Sequence, residues 1–343
     1  MRKLVVLFVS ILLSANFFTL YAKNEEEYPF ITRTFPSSSI REVEVVTTGG
    51  NISMTGDAGS KAVVEVYVSC NNCSIEKIKQ ILKESYTIDI KVEKGKLYAA
   101  AKQKKDLFNW NQQGVGISFK IVVPKQVNSN LQTSGGNIQI CNLSGSQNFK
   151  TSGGSLTIGN VSGNIVGLTS GGNITVAASS DNINLKTSGG SISANDCRGK
   201  IELKTSGGNL NLSNIEGNIS AATSGGSITA SNIKGTLQTG ASGGNVQLND
   251  LSGNVEASTS GGNMSVRMRS AGDYVRLSNS GDLRLTLPAG KGYKLTVKAS
   301  NIETSGMKNF QGDMDRRSME GVVGNGGTEV DLKSSEQVHL LFE

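Results

Sequence analysis

Residues 133–150, TSGGNIQICNLSGSQNFK, are followed without a break by TSGGSLTIGNVSGNIVGL (151–168) and TSGGNITVAASSDNINLK (169–186). The Thr-Ser-Gly-Gly tetrapeptide starts at Thr133 and returns at Thr151, Thr169, Thr187, Thr205, Thr223 and Thr259, with Ala-Ser-Gly-Gly at Ala241 filling the one gap. Every step is 18 residues across eight copies, with no insertion. A repeat this short cannot bury its own apolar face and has to stack on its neighbours. The expected fold is therefore a solenoid, which offers long flat faces rather than a deep pocket.

Numbered from its Thr, each repeat has Gly at positions 3 and 4 and Asn or Ser at position 5. Position 6 is always apolar (Ile138, Leu156, Ile174, Ile192, Leu210, Ile228, Val246, Met264), and so is position 8. Apolar residues two apart between polar ones mark a short half-buried strand. Gly recurs at position 13 in six copies, and position 15 is apolar in six copies. Each unit thus reads as two strands and two Gly-bearing turns, with φ > 0 expected at the glycines. A left-handed hexapeptide helix would need an aliphatic residue every six positions, and the matching register contains the Asn/Ser of position 5. The expected class is all-β: a single-stranded parallel β-helix with 18-residue coils, right-handed because parallel crossovers strongly prefer that hand.

The ends differ from the array. Residues 1–22 read as an export signal: Arg2 and Lys3, an apolar run over 4–13, and Leu20-Tyr21-Ala22 as the cleavage site. After its removal no integral membrane span is expected. Residues 40–132 are expected to form degenerate rungs and a strand-rich cap. This part carries an isolated near-repeat, TTGGNI (47–52), out of register with the array. Strands are expected over 61–69, 87–102 and 116–123, with one short helix over 74–85 that Ser74 caps. The regular solenoid is expected over 133–276, with a C-terminal cap of degenerate rungs over 277–343, since bare terminal rungs invite edge pairing.

This combination resembles the bacterial "putative adhesin" family of unknown function, an exported β-solenoid domain. The resemblance spans roughly residues 40–343. It rests on the repeated Ser-Gly-Gly-Asn/Ser-Ile units, on Ile121-Val122-Val123-Pro124, and on the late Leu287-Pro288-Ala289-Gly290 and Gly324-Asn325-Gly326-Gly327 elements. It implies adhesion and brings no catalytic residues with it.

Loss of Arg2 and Lys3 with the leader takes the formal charge from +6 to +4. Residues 133–270 hold eight Lys/Arg against six Asp/Glu. Nucleic-acid binders need a basic stripe, so no nucleic-acid partner is expected. Neither a metal nor a cofactor is expected: the chain has one His, and its glycine pairs lack the regular Asp of calcium-binding repeats. Gly240-Ala241-Ser242-Gly243-Gly244 matches a nucleophile elbow only nominally, because Ser fills that turn position in all eight copies and no base accompanies it.

Cys70 and Cys73 are read as a local disulfide or structural pair. Cys141 and Cys197 fall three coils apart, roughly 14 Å, too far to bridge.

Two surface features remain. Position 7 runs Gln139, Thr157, Thr175, Ser193, Asn211, Thr229, Gln247, Ser265, a flat uncharged face that can bond sugars or another sheet, or simply be hydrated. Phe108 and the single Trp110, set among Asn and Gln, can stack on a sugar ring or fold back over the first rung.

The functional expectation is an exported, non-catalytic, adhesin-like or structural envelope protein, periplasmic, outer-membrane-associated or secreted. Its partner would be envelope polysaccharide or another surface protein. The alternatives are a carbohydrate-processing enzyme on a β-helix scaffold, which needs clustered acids on one face, and a redox factor working through Cys70 and Cys73.

Overall fold

The computed structural model describes residues 28–71, 73–104 and 115–343. The expected leader and the loop holding Phe108 and Trp110 lie outside these residues. The fold is mostly β, with one α-helix and a parallel core.

Through the first seven coils each residue pairs with the one 18 positions on; into the eighth the register slips after Leu248, so that Leu251 meets Met268 and Val255 meets Val275. Ile138, Leu156, Ile174, Ile192, Leu210, Ile228, Val246 and Met264 form one continuous parallel column. All eight are buried, at 1% exposure or less. Each such side chain contributes about 1.5–3 kcal/mol, but only when a neighbouring coil covers it. A second inward column runs Ile165, Ile183, Ile201, Ile219, Leu237, Val255. The first coil breaks it with Gln147, whose buried amide accepts from Ser129 Oγ (2.5 Å) and donates to the Val127 carbonyl (2.6 Å).

The glycines act differently from expectation. Position 13 does take positive φ, from 108° at Gly163 to 135° at Gly217. The paired glycines of positions 3 and 4 do not. Position 4 is Gly for lack of room: a Cβ on Gly190 would overlap the carbonyl of Gly172 one coil below, whereas on Gly189 the nearest atom would be 3.6 Å away. The other left-handed bend belongs to position 10, where Asn142, Asn160, Asp196, Asn214, Asn232 and Asp250 hold φ of 53–58° or, at Asn232, 52°. Each coil therefore has one Ser-Gly-Gly turn and two sharp bends. The strand runs through both bends in most coils, as in Leu210–Thr223.

At the N-terminal end the TTGGNI segment is displaced in sequence yet sits in register in space. Ile52 pairs with Ile138 on one side and Phe119 on the other, and Val45 lies between Ala99 and Leu131. The C-terminal end is built the same way. Val330 lies between Val275 and Leu295, and Leu340 between Leu285 and Thr304. Beyond these interleaved coils the pairing turns antiparallel, as in Lys61–Ser69 against Gly116–Pro124 and Ser318–Val323 against Tyr293–Lys298.

Residues 87–102, expected as one strand, form a hairpin: Tyr86–Glu93 pairs with Lys96–Gln103. Lys94 and Gly95 turn the chain with φ of 51° and 83°, the double positive φ that a two-residue hairpin loop requires. The helix Ile75–Ser85 starts where Ser74 accepts from the Lys77 N–H, at 3.2 Å. Among the described residues no helix is long and apolar enough to cross a membrane.

Replacing Gly190 by Ala is expected to destabilise the protein by about 2 kcal/mol or more, through backbone overlap. Gly189→Ala is expected to be neutral or to stabilise by up to about 1 kcal/mol. Thermal melts of the two variants check the pair, and equal losses would contradict the close approach at position 4.

Candidate functional site

The face made by positions 5, 7 and 9 divides into committed and free columns. At position 5 each side chain accepts the backbone N–H of the next coil's position 5. The chain of bonds runs from Ser118 through Asn51, Asn137, Ser155, Asn173, Ser191, Asn209, Ser227, Asn245 and Asn263 to Asp282, at 2.7–3.2 Å. These residues hold the stack together.

Position 7 does not take part. Gln139, Thr157, Thr175, Ser193, Asn211, Thr229, Gln247 and Ser265 pair in register, and all but the half-buried Thr157 are exposed. Among the described residues their side chains make no hydrogen bond. The line is about 34 Å long at ~4.8 Å per coil. Ser53 extends it by one coil beyond Gln139. Charge then bounds it at both ends. Lys120 follows Ser53 and pairs with Glu65 at 3.5 Å. Arg284 follows Ser265, and His339 beyond it meets Glu303 at 3.1 Å.

The buried side of the same turn carries a column whose role the sequence reading missed. Thr151, Thr169, Thr187, Thr205 and Thr223 each donate Oγ1–H to the position-4 carbonyl one coil below, at 2.7–2.9 Å. Each also accepts from its own position-4 N–H at 3.2–3.3 Å. The available signal was Thr at position 1 in seven of eight copies, in a pattern that otherwise tolerates exchange of polar residues.

A groove of about 460 Å3 runs along the position-10 bend, with Asp196, Arg198, Glu216 and Lys234 among its lining. Asp196 accepts from the amides of Asn195 (2.6 Å) and Asn214 (3.0 Å). Glu216 lies in register between Arg198 and Lys234. Glu202, on another side of the coil, is bonded by Lys204 (2.7 Å) and lies 3.4 Å from Lys186. The Lys204 hydrogen bond, with help from Lys186, holds its carboxyl below the usual range. Among the described residues no cluster of His, Cys, Asp and Glu could hold a metal.

Cys70 and Cys73 are joined as a disulfide with Cα atoms 5.6 Å apart, just before the helix. Cys141 and Cys197 are free thiols. Cys141 is half-buried, with Sγ 3.3 Å from Thr55 Oγ1. Cys197 lies in the core, and burial pushes its thiol up.

No family model and no curated protein sequence matches the chain. Among solved structures it is similar to a "putative cell adhesion protein" of Clostridium sporogenes, 10% identical over 91% of this chain and 97% of that one, with a TM-score of 0.19. A "putative adhesin" of Bacteroides fragilis is 14% identical over 91% and 96%, with a TM-score of 0.25. Another from Parabacteroides distasonis is 13% identical over 90% and 96%, with a TM-score of 0.30. The three share an adhesin name, and at such scores the likeness carries no functional argument.

Two outcomes follow from the buried columns. Ala241→Thr restores the missing hydroxyl, which would reach the Gly226 carbonyl and the Gly244 N–H as its homologues do, and should raise stability by about 1 kcal/mol in a thermal melt. Alkylation of native protein near pH 8 should label Cys141 well before Cys197, because the thiolate is the reactive form and burial disfavours it at Cys197. Mass spectrometry of the labelled peptides reads the order.

Proposed function

We propose that this chain is an exported, non-catalytic envelope protein, adhesin-like or structural, whose right-handed parallel coil binds glycan or a protein partner through the position-7 face. The observation that carries the reading is the division of labour between adjacent columns. Position 5 commits its side-chain acceptors to the stack, while position 7 keeps eight hydroxyls and amides unbonded and uncharged along one line, seven of them exposed. Each contact to a polar ligand would be weak. A repeat of ~4.8 Å lets an extended ligand make many at once, and linked weak contacts gain affinity steeply. The face suits a neutral, hydroxyl-rich polymer better than a charged one, because charge enters only towards its ends, at Lys120 on one side and at Arg267, Asp282 and Arg284 on the other.

The non-catalytic part of the reading draws on the acids. Glycoside hydrolysis needs one protonated and one ionised carboxyl across a substrate. In the corner groove the Asp196 carboxylate is already taken up by the amides of Asn195 and Asn214, which leaves Glu216 as the one other acid among the described lining residues. Localisation in the periplasm, at the outer membrane or outside the cell belongs to the same proposal.

Placing Lys at Thr175, Asn211 and Gln247 together tests the face. The three sites lie two coils apart, about 10 Å. All point outward, so the melting temperature should move little. Binding to a neutral-glycan array or to whole cells should fall at least about tenfold. Unchanged binding by a folded variant would remove the face from the function.

A further inference from the structure

The two late motifs, Leu287-Pro288-Ala289-Gly290 and Gly324-Asn325-Gly326-Gly327, lie more than thirty residues apart in the chain, yet the fold brings them together. A Cβ on Gly292 would overlap the carbonyl of Gly326, so the two segments touch backbone to backbone. Tyr293 Oη donates to the Pro288 carbonyl (2.7 Å), and burial pushes this phenol up to about 12, so it remains a donor throughout the physiological range. The Ala289 N–H donates to a main-chain oxygen of Glu343 (2.7 Å), and the Gly324 N–H to the Asn309 carbonyl (3.2 Å). These bonds frame an open pocket of about 560 Å3 at the C-terminal cap, within the size range of small-molecule sites.

Its lining has a definite chemistry. Val323 and Phe342 are the buried apolar residues of the lining, and the Phe342 ring packs 5.7 Å from Tyr293. Lys291, Lys308, Asn309 and Asn325 supply the polar groups, and all four are exposed. Among the described residues that line it, none is acidic. Lys291 Nζ donates to the neutral Ser270 Oγ (3.1 Å), and Lys308 makes no ion pair among the described residues. The adjacent Glu343 carboxylate is turned to Arg267, at 2.8 Å. Two ammonium groups that make no ion pair among the described residues, with two amides beside an apolar patch, match a ring-shaped polar molecule that carries an anionic group.

We infer that this pocket binds an anionic sugar, with the carboxylate or phosphate set between Lys291 and Lys308, the hydroxyls on Asn309 and Asn325, and one face of the ring on Val323 and Phe342. The site is independent of the position-7 face, so either can fail without the other. A uronic acid in a polysaccharide and a phosphorylated sugar present the same group, and separate probes distinguish them.

Isothermal titration of the whole chain with digalacturonate, glucose 1-phosphate and maltose tests the site. At least one acidic probe should bind, more weakly as salt rises, while maltose should not compete for the pocket. Lys291→Gln with Lys308→Gln should weaken the acidic probe about tenfold or more. Lys308→Gln alone should weaken it in the same direction, and it keeps the test valid if the double variant folds poorly. The triple Lys variant of the flat face should bind the acidic probe as the parent does. Equal binding of maltose and digalacturonate, undiminished affinity in both Lys variants, or no acidic probe bound at about 10 mM would overturn the assignment.

Discussion

The structure depends on one buried hydrogen-bonded junction, repeated from the first coil to the sixth and missing its hydroxyl at Ala241: the position-1 Thr hydroxyl between two glycine backbones. A tight turn packed directly on another tight turn buries peptide groups that no sheet ladder reaches. Leaving one unpaired costs about 1–3 kcal/mol. Each Thr settles two of them, one in its own turn and one in the turn below, for example Gly208 N–H and Gly190 C=O through Thr205. The hydroxyl can bridge them only if the turns approach to within one strand spacing, and that approach leaves no room for a Cβ at position 4. The Thr and the Gly are therefore one constraint, and the 18-residue period is its consequence. An insertion between turns would break both partners of the bridge.

The same constraint explains why chemistry is confined to certain columns. Positions 1, 4, 6, 8, 15 and 17 are taken by the core, position 5 by the external amide ladder, and positions 10 and 13 by left-handed bends. What remains outward in every coil is position 2, a Ser throughout, at the turn, position 7 on the flat face, and positions 12, 14, 16 and 18 on the other sides. The latter vary freely in charge, as in the register Arg198, Glu216, Lys234. Position 7 does not, through eight coils. A solvated surface under no further demand tolerates Lys and Glu easily, as positions 12 and 18 on the other sides demonstrate. Persistent neutrality along the exposed, unbonded position-7 column is the physical basis of the glycan or protein-partner proposal.

Much of this was legible because a repeat reads the same environment eight times. The inward columns follow from two-residue apolar spacing, and Ile138 to Met264 lie where that spacing puts them. Three things were hidden. The turn glycines look alike in sequence, and the coil below closes on both Gly190 and Gly199, but only Gly199 also holds a positive φ, and neither property is written in the residue type. The hairpin at Lys94-Gly95 was read as part of one strand because Lys is not the usual partner of Gly there. The C-terminal pocket could not be foreseen, since its two motifs meet only after the chain has folded back on itself. Fold thus lay in local periodicity, whereas the sites lie in contacts between segments distant in sequence.

The interleaved ends show how such long-range contacts are kept affordable. Ile52 closes on Ile138 across 86 residues, where successive coils of the array close across 18. Loop-closure entropy grows only with the logarithm of length, so the longer closure costs about 1.4 kcal/mol more. The return is a strand pair covered on both sides, with Met54 held between Ile121 and Ile140. Thr328–Ser334 and Gln337–Phe342 do the same at the other end, so neither terminal segment forms the outermost parallel rung. A linear stack frays from its last coil. Here peeling the last coil also requires extracting a strand pair from between two others. The C-terminal pocket sits against Phe342 in that inserted pair, which gives an otherwise exposed cap a floor as firmly held as the array itself.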